Sequence, residues 1–430
     1  MIHRQLILVR LVATVALAAS ALGTAALPAA AAVTPSALHF RASFGLTTDP
    51  TVAAAISADP GSDTTSFGLP LTLAEVADLR ARMAIQDQID PLAHFVAAHA
   101  DRFGGLWIDQ SDGGVLVLET LPMSGPLTAQ AAALAPDAAT VRTTTATYDY
   151  ASLSAHADRI SAAMSQLSSG DMRIVSVGVD VPANRVKVGV GGASDSEQAA
   201  LAASLGPDVE VVPGSILTPV SLPTTCSSRT SCPLRAGLNI SNLGYKQCTS
   251  NFFFKSSTGV TYLGTAGHCA SSTWYQWYEG GNTNYYIGNN SGVSWYNGMN
   301  ADAMLITHYS SAAKNLVYVS STEMGRAMGS SMNNASQIFG TLACYSGATS
   351  GYHCGQVVGS DLTENNNGYT EYHLWEMDPA ASDGDSGSPV FYSTREMGLV
   401  DAVSGAYTYY STIDWIDGTF GVTPCVTSSC

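Results

Sequence analysis

Ser386 lies in a short segment whose residue types could support nucleophilic catalysis, DGDSGSPVF over residues 383–391. A serine in such a loop can be a nucleophile, a member of a calcium-binding loop, or an ordinary turn residue. The calcium interpretation fails because Thr394 stands twelfth from Asp383, where a bidentate carboxylate is needed. The segment alone leaves the turn interpretation open. Catalysis would also require a base that accepts the proton of the serine and an acid that orients the base.

The order of residues along the chain restricts which base and acid can serve Ser386. Every histidine after Cys226 precedes Ser386, whereas an α/β-hydrolase needs its histidine after the serine. A subtilisin needs an aspartate before the histidine, yet no acidic residue lies between Cys226 and His268. If His268 is the base, the order must be histidine, aspartate, serine. Asp302, at the start of the apolar run DAMLI (302–306), is then the candidate acid.

Charge and composition exclude one class of partner. The 430 residues include 34 acidic and 18 basic side chains, for a formal net charge of −16. Nucleic-acid binding needs a concentrated basic face, so we do not expect it here. We also expect neither a cofactor nor a bound metal ion.

Residues 1–32 have the layout of a secretory signal. Arg4 and Arg10 precede the apolar run 11–22, and small residues follow up to Ala32. Nothing later in the chain approaches the roughly 20 consecutive apolar residues that span a bilayer. All eight cysteines follow residue 225, and an even number in an exported chain indicates disulfides. We therefore predict a secreted, extracellular protein without a membrane anchor.

The chain divides near residues 221–226, where the cysteines begin and the proline-containing segment 213–223 suits an extended linker. Residues 33–220 predict an α+β unit of two helix-hairpin modules. Its predicted helices cover 71–89, 93–103, 152–167 and 196–204, and its strands cover 105–109, 114–118, 172–179, 184–190 and 209–212. Residues 221–430 predict an all-β domain, with strands over 251–254, 260–265, 285–288, 303–307, 316–319, 356–358, 372–377, 390–392 and 399–404. One short helix is expected over 412–417.

Three motifs in the permitted order resemble the chymotrypsin-fold serine endopeptidases, and more narrowly the streptogrisin and α-lytic protease branch. They are TAGHC (265–269), DAMLI (302–306) and GDSGSP (384–389), and the loop from Cys344 to Cys354 also matches that branch. The resemblance implies two antiparallel β-barrels with the triad between them. It also implies disulfides between Cys248 and Cys269 and between Cys344 and Cys354. The pairing of Cys226, Cys232, Cys425 and Cys430 stays open.

The resemblance assigns roles to individual residues. Ser386 would be the nucleophile, His268 the base and Asp302 the acid that orients it, with the N–H groups of Gly384 and Ser386 as the oxyanion hole. Asp385 would support the loop, because an immediate neighbour of the serine cannot readily reach behind the histidine.

The same resemblance places the substrate pocket on a set of small residues. Ala380 and Ala381 would form its base, and Ser404, Gly405 and Ala406 its wall. Without a carboxylate at the base, we expect polypeptide substrates with uncharged, small or medium apolar side chains at the cleaved position.

Residues 33–220 resemble the pro-region of this branch, which assists folding and inhibits the protease until it is removed. The alternative is a separate N-terminal binding module attached to a catalytically silent chymotrypsin-like binding domain. All three triad positions are retained, which favours the enzyme. We expect a monomer whose partners are its substrates and its own pro-region.

Overall fold

The computed structural model describes residues 34–168, 172–214, 234–242, 247–270, 276–279, 285–308, 315–320, 323, 325–366 and 369–426. The predicted signal over 1–32 and the predicted division near 221–226 lie outside these residues.

The described part of the N-terminal half contains helices and strands in alternation. Its helices are α1 (Pro35–Ser43), α2 (Pro50–Ala58), α3 (Leu73–Gln86), α4 (Asp90–Ala98), α5 (Gly125–Ala132), α6 (Tyr150–Ala162), α7 (Met164–Leu167) and α8 (Asp195–Leu205). Its strands are β1 (Phe103–Asp109), β2 (Val115–Thr120), β3 (Val141–Thr145), β4 (Arg173–Asp180), β5 (Arg185–Gly191) and β6 (Val209–Pro213). Strands β1 to β3 form a separate small sheet.

Local signals explain several of these boundaries. A capping box starts α3, since the Glu75 N–H donates to Thr72 Oγ1 and the Thr72 N–H donates to the Glu75 carboxylate. The helix expected over 93–103 is shorter than predicted, because His99 leaves the helical conformation and Phe103 begins β1. The sequence pattern does not predict α1, α2, α5 or β3.

The described C-terminal half is almost entirely β, as predicted. Its strands are β7 (Asn239–Ser241), β8 (Gln247–Thr249), β9 (Phe253–Ser256), β10 (Thr261–Thr265), β11 (Gln276–Glu279), β12 (Tyr285–Ser294), β13 (Ala303–His308), β14 (Leu316–Val317), β15 (Arg326–Ala327), β16 (Ser330–Ser331), β17 (Leu342–Gly347), β18 (Gly351–Asn366), β19 (Tyr369–Met377), β20 (Pro389–Tyr392), β21 (Arg395–Ser404), β22 (Tyr407–Thr412) and β23 (Val422–Pro424). Helix α9 (Ile413–Phe420) follows β22 and corresponds to the short helix expected over 412–417.

Two antiparallel sheets build this half. The first sheet has eight strands in the order β23-β9-β10-β13-β12-β11-β7-β8. The second sheet has the order β17-β20-β21-β22-β19-β18, and β17 also pairs with β18, so these six strands close on themselves. Apart from β23, which returns to the first sheet, consecutive stretches of the chain form the two sheets, and residues from both can meet between them.

The N-terminal half joins the second sheet directly. β4 pairs with β18, with Val177 opposite Thr363 and Ser176 opposite Glu364, and β5 and β6 extend the sheet further. On another side, Phe40 and Phe44 of α1 belong to the same buried hydrophobic cluster as core residues of both sheets. The two halves therefore share backbone pairing and a core.

Two disulfides implied by the family resemblance are confirmed. Cys248 is bonded to Cys269 and Cys344 to Cys354. Cys226, Cys232 and Cys430 lie outside the described residues, so the pairing of the remaining four cysteines stays a prediction. Among the helices described, none combines the length and the apolar character needed to cross a membrane.

Gln86 ties α3 to β17 through two buried hydrogen bonds. Its Nε2 donates to the Leu342 carbonyl at 3.1 Å, and the Leu342 N–H donates to Gln86 Oε1 at 2.7 Å. The glutamine is 1% exposed, so water cannot readily replace its amide. Both backbone groups of Leu342 depend on this one side chain.

We expect Gln86→Ala to lower the free energy of unfolding of the full-length chain by about 2–4 kcal/mol, since two buried backbone groups lose their partner. Urea unfolding would measure the free energy of unfolding in a Ser386→Ala background. Replacing the predicted nucleophile prevents the chain from cutting itself and so keeps it intact. Gln88→Ala is the matched control, because Gln88 is exposed and its Nε2 contacts only the nearby Ala84 carbonyl. Equal stabilities of the two variants would contradict the expectation.

Candidate active site

Strand pairing brings His268 and Asp302 to the same end of the first sheet. Thr265, the last residue of β10, lies opposite Met304 of β13. In an antiparallel pair, the residues that follow one strand lie beside those that precede the other. His268 follows β10 in a short 3-10 turn, and Asp302 immediately precedes β13. The two candidate residues are neighbours for this reason, although 34 positions separate them.

Asp302, His268 and Ser386 form one hydrogen-bonded chain. His268 Nδ1 is hydrogen-bonded to Asp302 Oδ2, and the His268 backbone N–H donates to Asp302 Oδ1 at 2.7 Å. On the other side of the ring, Nε2 lies 2.8 Å from Ser386 Oγ. His268 is 7% exposed, and the other two residues are 0% exposed. The arrangement lets the imidazole accept the serine proton while the carboxylate fixes the ring.

Asp302 favours its ionised form although it is buried. Burial opposes ionisation, but the charge and the hydrogen bonds of His268 lower the pKa of Asp302 below its ordinary value. The Asp302 N–H donates to Ser411 Oγ at 2.9 Å, which anchors the residue on β22. The Trp295 ring meets the His268 ring edge-on, with centroids 5.5 Å apart, and covers one side of the imidazole.

The loop before β20 leaves two backbone N–H groups available. Gly384 has φ of +93°, a conformation that glycine adopts without steric cost. The N–H groups of Asp385, Gly387 and Ser388 donate to backbone carbonyls. Within the part of the chain that the structure describes, the N–H groups of Gly384 and Ser386 have no protein acceptor. These two donors can bind the oxygen of a substrate.

Asp385 supports the loop from inside. Its Oδ1 accepts the N–H groups of Thr349 and Ser350 at 2.9 and 3.1 Å, and its Oδ2 accepts the Ser382 N–H at 2.9 Å. The residue is fully buried. These contacts agree with the expected supporting role and leave Asp302 as the partner of His268.

One curated protein is similar in sequence to this chain. Serine protease 2 of Streptomyces fradiae is 34% identical to this chain over 166 residues, which cover 38% of this chain and 90% of that protein. The chain belongs to the chymotrypsin-fold serine proteases of the streptogrisin and α-lytic protease type. It is a serine endopeptidase.

Solved structures of similar proteins have lower sequence identity. Nocardiopsis protease is 22% identical, with 44% of this chain and 98% of that chain covered and a TM-score of 0.38. Thermobifida fusca protease A is 22% identical, with 46% and 100% covered and a TM-score of 0.38. No family model matches the chain. The assignment to the family rests on the curated relative.

In this protease, Ala380 and Ala381 lie between β17 and β22. The Tyr345 hydroxyl donates to the Ala380 carbonyl at 3.1 Å, and the Ala381 N–H donates to Thr408 Oγ1 at 2.7 Å. Both alanines follow β19 and precede the Ser386 loop. Backbone contacts therefore hold the predicted pocket base, and its side chains add no charge.

The pocket wall predicted at Ser404, Gly405 and Ala406 falls on a turn between two strands. These residues turn the chain from β21 into β22, with Ser404 opposite Tyr407 and Gly405 at φ of +60°. A hairpin turn of this kind does not offer an extended edge to a substrate.

The segment of β21 beside the nucleophile lies earlier in the chain. The Gly387 N–H donates to the Val400 carbonyl at 2.7 Å, and the Val400 N–H donates to the Ser388 carbonyl at 2.9 Å. Residues 401–403 follow directly and precede the turn. The sequence did not indicate this placement, because the register between β21 and the Ser386 loop depends on hydrogen bonds that no local pattern specifies.

Sequence reasoning also missed Asp401. Its Oδ1 lies 3.8 Å from His268 Nδ1, and the residue is 1% exposed. A signal was present, because Asp401 is the single charged residue in the otherwise apolar run MGLVDAV (397–403).

Gly267 is tightly enclosed next to the triad. It precedes His268 in the turn that the Cys248–Cys269 disulfide links to β8. A Cβ on Gly267 would lie 2.2 Å from the Ser294 carbonyl oxygen and 2.6 Å from Asp302 Oδ1. Any side chain here must displace Asp302 or the backbone of β12.

We therefore expect Gly267→Ala to lower kcat/KM by about 100-fold, the effect of a misplacement of roughly 1 Å in a catalytic group. Casein hydrolysis by equal amounts of secreted protein would measure the loss. Gly418→Ala is the control, because a Cβ at Gly418 in α9 meets no atom within 4 Å. Wild-type activity of Gly267→Ala, or a similar loss in both variants, would show that this packing does not position the triad.

Proposed function

We propose that the chain is the zymogen of a secreted serine endopeptidase that hydrolyses polypeptides through His268, Asp302 and Ser386. The observation that carries the proposal is the 2.8 Å contact between His268 Nε2 and Ser386 Oγ, with the buried Asp302 carboxylate at the opposite ring nitrogen. Nucleophile, base and orienting acid are thus within reach of one another before any substrate binds.

In the proposed reaction, Ser386 Oγ attacks the carbonyl carbon of the scissile peptide bond. Its proton moves to His268 Nε2, and Asp302 stabilises the resulting imidazolium. His268 then gives that proton to the leaving amine nitrogen, the C–N bond breaks, and an acyl group remains on Ser386. Water attacks this ester along the same proton path and regenerates the serine.

The N–H groups of Gly384 and Ser386 are the proposed oxyanion hole. Their lack of a protein acceptor among the described residues supports this role. Negative charge develops on the carbonyl oxygen in the tetrahedral intermediate, and one such donor is typically worth about 3 kcal/mol of transition-state stabilisation.

Residues 33–220 are the proposed pro-region, and residues 221–430 the proposed protease domain. The pairing of β4 with β18 and the shared core support an intramolecular partner rather than an independent module. Polar contacts add to this, since Ser43 Oγ donates to Asp378 Oδ2 at 2.8 Å and the Arg395 guanidinium donates to Asp90 Oδ2 at 2.9 Å. All-β folds with distant strand pairings form slowly, so a template that completes the sheet would speed folding.

The end of the described N-terminal half lies close to the second sheet. Val212 to Gly214 line the same cavity of about 280 Å³ as Ser404, Gly405 and Tyr407. We propose that a signal over residues 1–32 is removed first. The chain is then cut at a second position, beyond Gly214. The two disulfides support an extracellular destination.

Ser386→Ala is expected to lower kcat on casein by roughly 10⁶-fold, because no other group replaces the nucleophile. The pro-region should also stay attached, which N-terminal sequencing of the secreted protein would reveal. A phosphonylating active-site reagent should label the wild type and not this variant.

Ser382→Ala provides the matched control, since Ser382 is an exposed serine in the same loop. It should keep both labelling and hydrolysis. Hydrolysis by Ser386→Ala would refute the proposed mechanism, and loss of the pro-region from an otherwise inactive Ser386→Ala would assign maturation to another protease.

We propose that Ala402 and Val403, with Ala380 and Ala381, line the pocket for the substrate side chain. Val400 is bonded to the Ser386 loop, so the next residues of β21 are the closest extended backbone. The half-buried Val403 would narrow the entrance. Uncharged, small or medium apolar side chains fit this lining best.

A peptide panel varied at the cleaved position is expected to show the highest kcat/KM for Ala, Val or Leu. Val403→Gly should raise the relative rate for Phe and Tyr by about 10-fold or more, because removing a branched side chain opens the pocket. Ala406→Gly, at the exposed turn, should leave the selectivity unchanged. Lys or Arg as the best residue, or a selectivity change in Ala406→Gly alone, would overturn this assignment.

A further inference from the structure

Asp401 is a buried acid held at a fixed position beside the triad. It lies in β21 between Val400, which is bonded to the Ser386 loop, and Ala402, and the pairing of β21 with β22 shifts register at this point. The irregularity turns the Asp401 side chain to a position 3.8 Å from His268 Nδ1. Because Asp401 is only 1% exposed, its carboxyl group interacts with protein groups rather than with bulk water.

The Asp401 carboxyl is within hydrogen-bonding reach of two other carboxyl groups, those of Asp302 and Glu371. A separation of 3.8 Å from His268 Nδ1 is too long for a hydrogen bond, and that nitrogen is already bonded to Asp302. One side-chain ligand atom from each of His268, Asp302 and Asp401 lies within 4.8 Å of the others. Asp401 therefore acts on the imidazole through Asp302 and not directly.

The charges around Asp401 favour its neutral form. Burial is the main cause that raises its pKa well above the ordinary value, and the negative charges of Glu371 on β19 and Asp302 add to it. Among the described residues, no N–H or hydroxyl group donates to Asp401 Oδ2, and the carboxyl groups of Asp302 and Glu371 are its neighbours. A second ionised carboxylate here would be a buried, unpaired charge, whereas a neutral acid has a proton to donate.

We propose that Asp401 is a positioning residue that, as a neutral acid, donates a hydrogen bond to the Asp302 carboxylate and holds it against His268 Nδ1. The inference rests on the proposed function of His268, Asp302 and Ser386. Strand β21 then has two roles. It lines the substrate pocket, and through Asp401 it stabilises the Asp302 carboxylate.

The three ligand atoms could also be interpreted as a metal site. Both ring nitrogens of His268 are already engaged, one with Asp302 and the other with Ser386. A metal ion would have to displace one of these contacts. The hydrogen-bonded arrangement requires no such displacement.

Two variants of Asp401 separate a hydrogen-bond donor from a charge. Asp401→Asn is nearly the same size, can still donate and cannot ionise. Asp401→Ala removes the donor. Both would be produced from the full-length chain, and the active enzyme would be counted by titration with the phosphonylating reagent.

Asp401→Ala is expected to lower kcat about 10- to 100-fold, the usual effect of losing one hydrogen bond to a charged group, with KM changed less than about twofold. Asp401→Asn should recover most of that loss. As the pH is lowered, kcat/KM falls with a midpoint that should differ by no more than about 0.3 pH unit between Asp401→Asn and the wild type. The reason is that position 401 is neutral in both proteins.

An ionised Asp401 would give a different pH profile. Removing a negative charge 3.8 Å from His268 Nδ1 would then make the imidazolium easier to deprotonate and move the acidic limb of Asp401→Asn down by about one pH unit or more. That shift, full kcat in Asp401→Ala, or loss of wild-type activity in EDTA with recovery on adding Zn²⁺ would each overturn the proposal. The Asp401→Asn profile decides the question even if Asp401→Ala does not fold.

The wild type separates this inference from the proposed function. If the wild type is neither labelled nor active, the proposed function fails. If the wild type is labelled and active while Asp401→Ala keeps full kcat, only the role of Asp401 fails.

Discussion

A buried carboxylate that keeps its charge is the constraint on which the active site depends. Asp302 is 0% exposed, and an unpaired charge there would cost far more than a surface charge. The backbone N–H and the imidazole of His268 compensate for that cost, and both come from the turn after β10. Because Asp302 precedes the strand that pairs with β10, sheet formation and charge compensation occur together. Displacing either residue would leave a buried carboxylate without its partner.

Polar residues in and next to β8 of the first sheet form hydrogen bonds to the Ser386 loop of the second sheet. The Thr249 N–H donates to the Ser386 carbonyl and Thr249 Oγ1 to the Gly384 carbonyl, each at 2.8 Å. Asn251 Nδ2 donates to the Gly387 carbonyl at 3.0 Å. Thr249 and Asn251 are fully buried, so these bonds do not compete with water. A network of hydrogen bonds between the sheets therefore sets the distance between His268 and Ser386 and holds the Ser386 loop in place.

The N-terminal half is built into the protein rather than appended to it. It extends the second sheet through β4 and supplies apolar side chains to the core on the opposite side. The Gln86 pair with Leu342 adds a buried polar contact at β17. Removing this half would expose a sheet edge and part of a core. If this half is removed, as proposed, residues 221–430 must be stable enough by themselves once they have folded, as expected where a template is needed only during folding.

Local signals predicted much of the secondary structure. The helical spacing over 71–89, the alternation in β4 and β5, and the apolar runs after Asp302 and after Ser388 depend only on neighbouring residues, so the sequence reveals them without the fold. Short elements such as α1 were not predicted. Phe40 and Phe44 stack on each other, but the cluster that buries them consists mainly of residues distant in the chain, which no local pattern reveals. The predicted helix over 93–103 extends beyond the observed end at Ala98, because the apolar pattern continues past His99 into β1.

The sequence by itself determined the chemistry: the order histidine, aspartate, serine leaves one kind of triad, and the motifs around His268, Asp302 and Ser386 identify the family. Tertiary structure alone decided what surrounds that triad. It placed residues 401–403, rather than 404–406, next to the Ser386 loop and brought Asp401 close to Asp302. The physical reason is that residue types and their order are properties of the chain, whereas strand register and burial arise only when distant segments pair and exclude water.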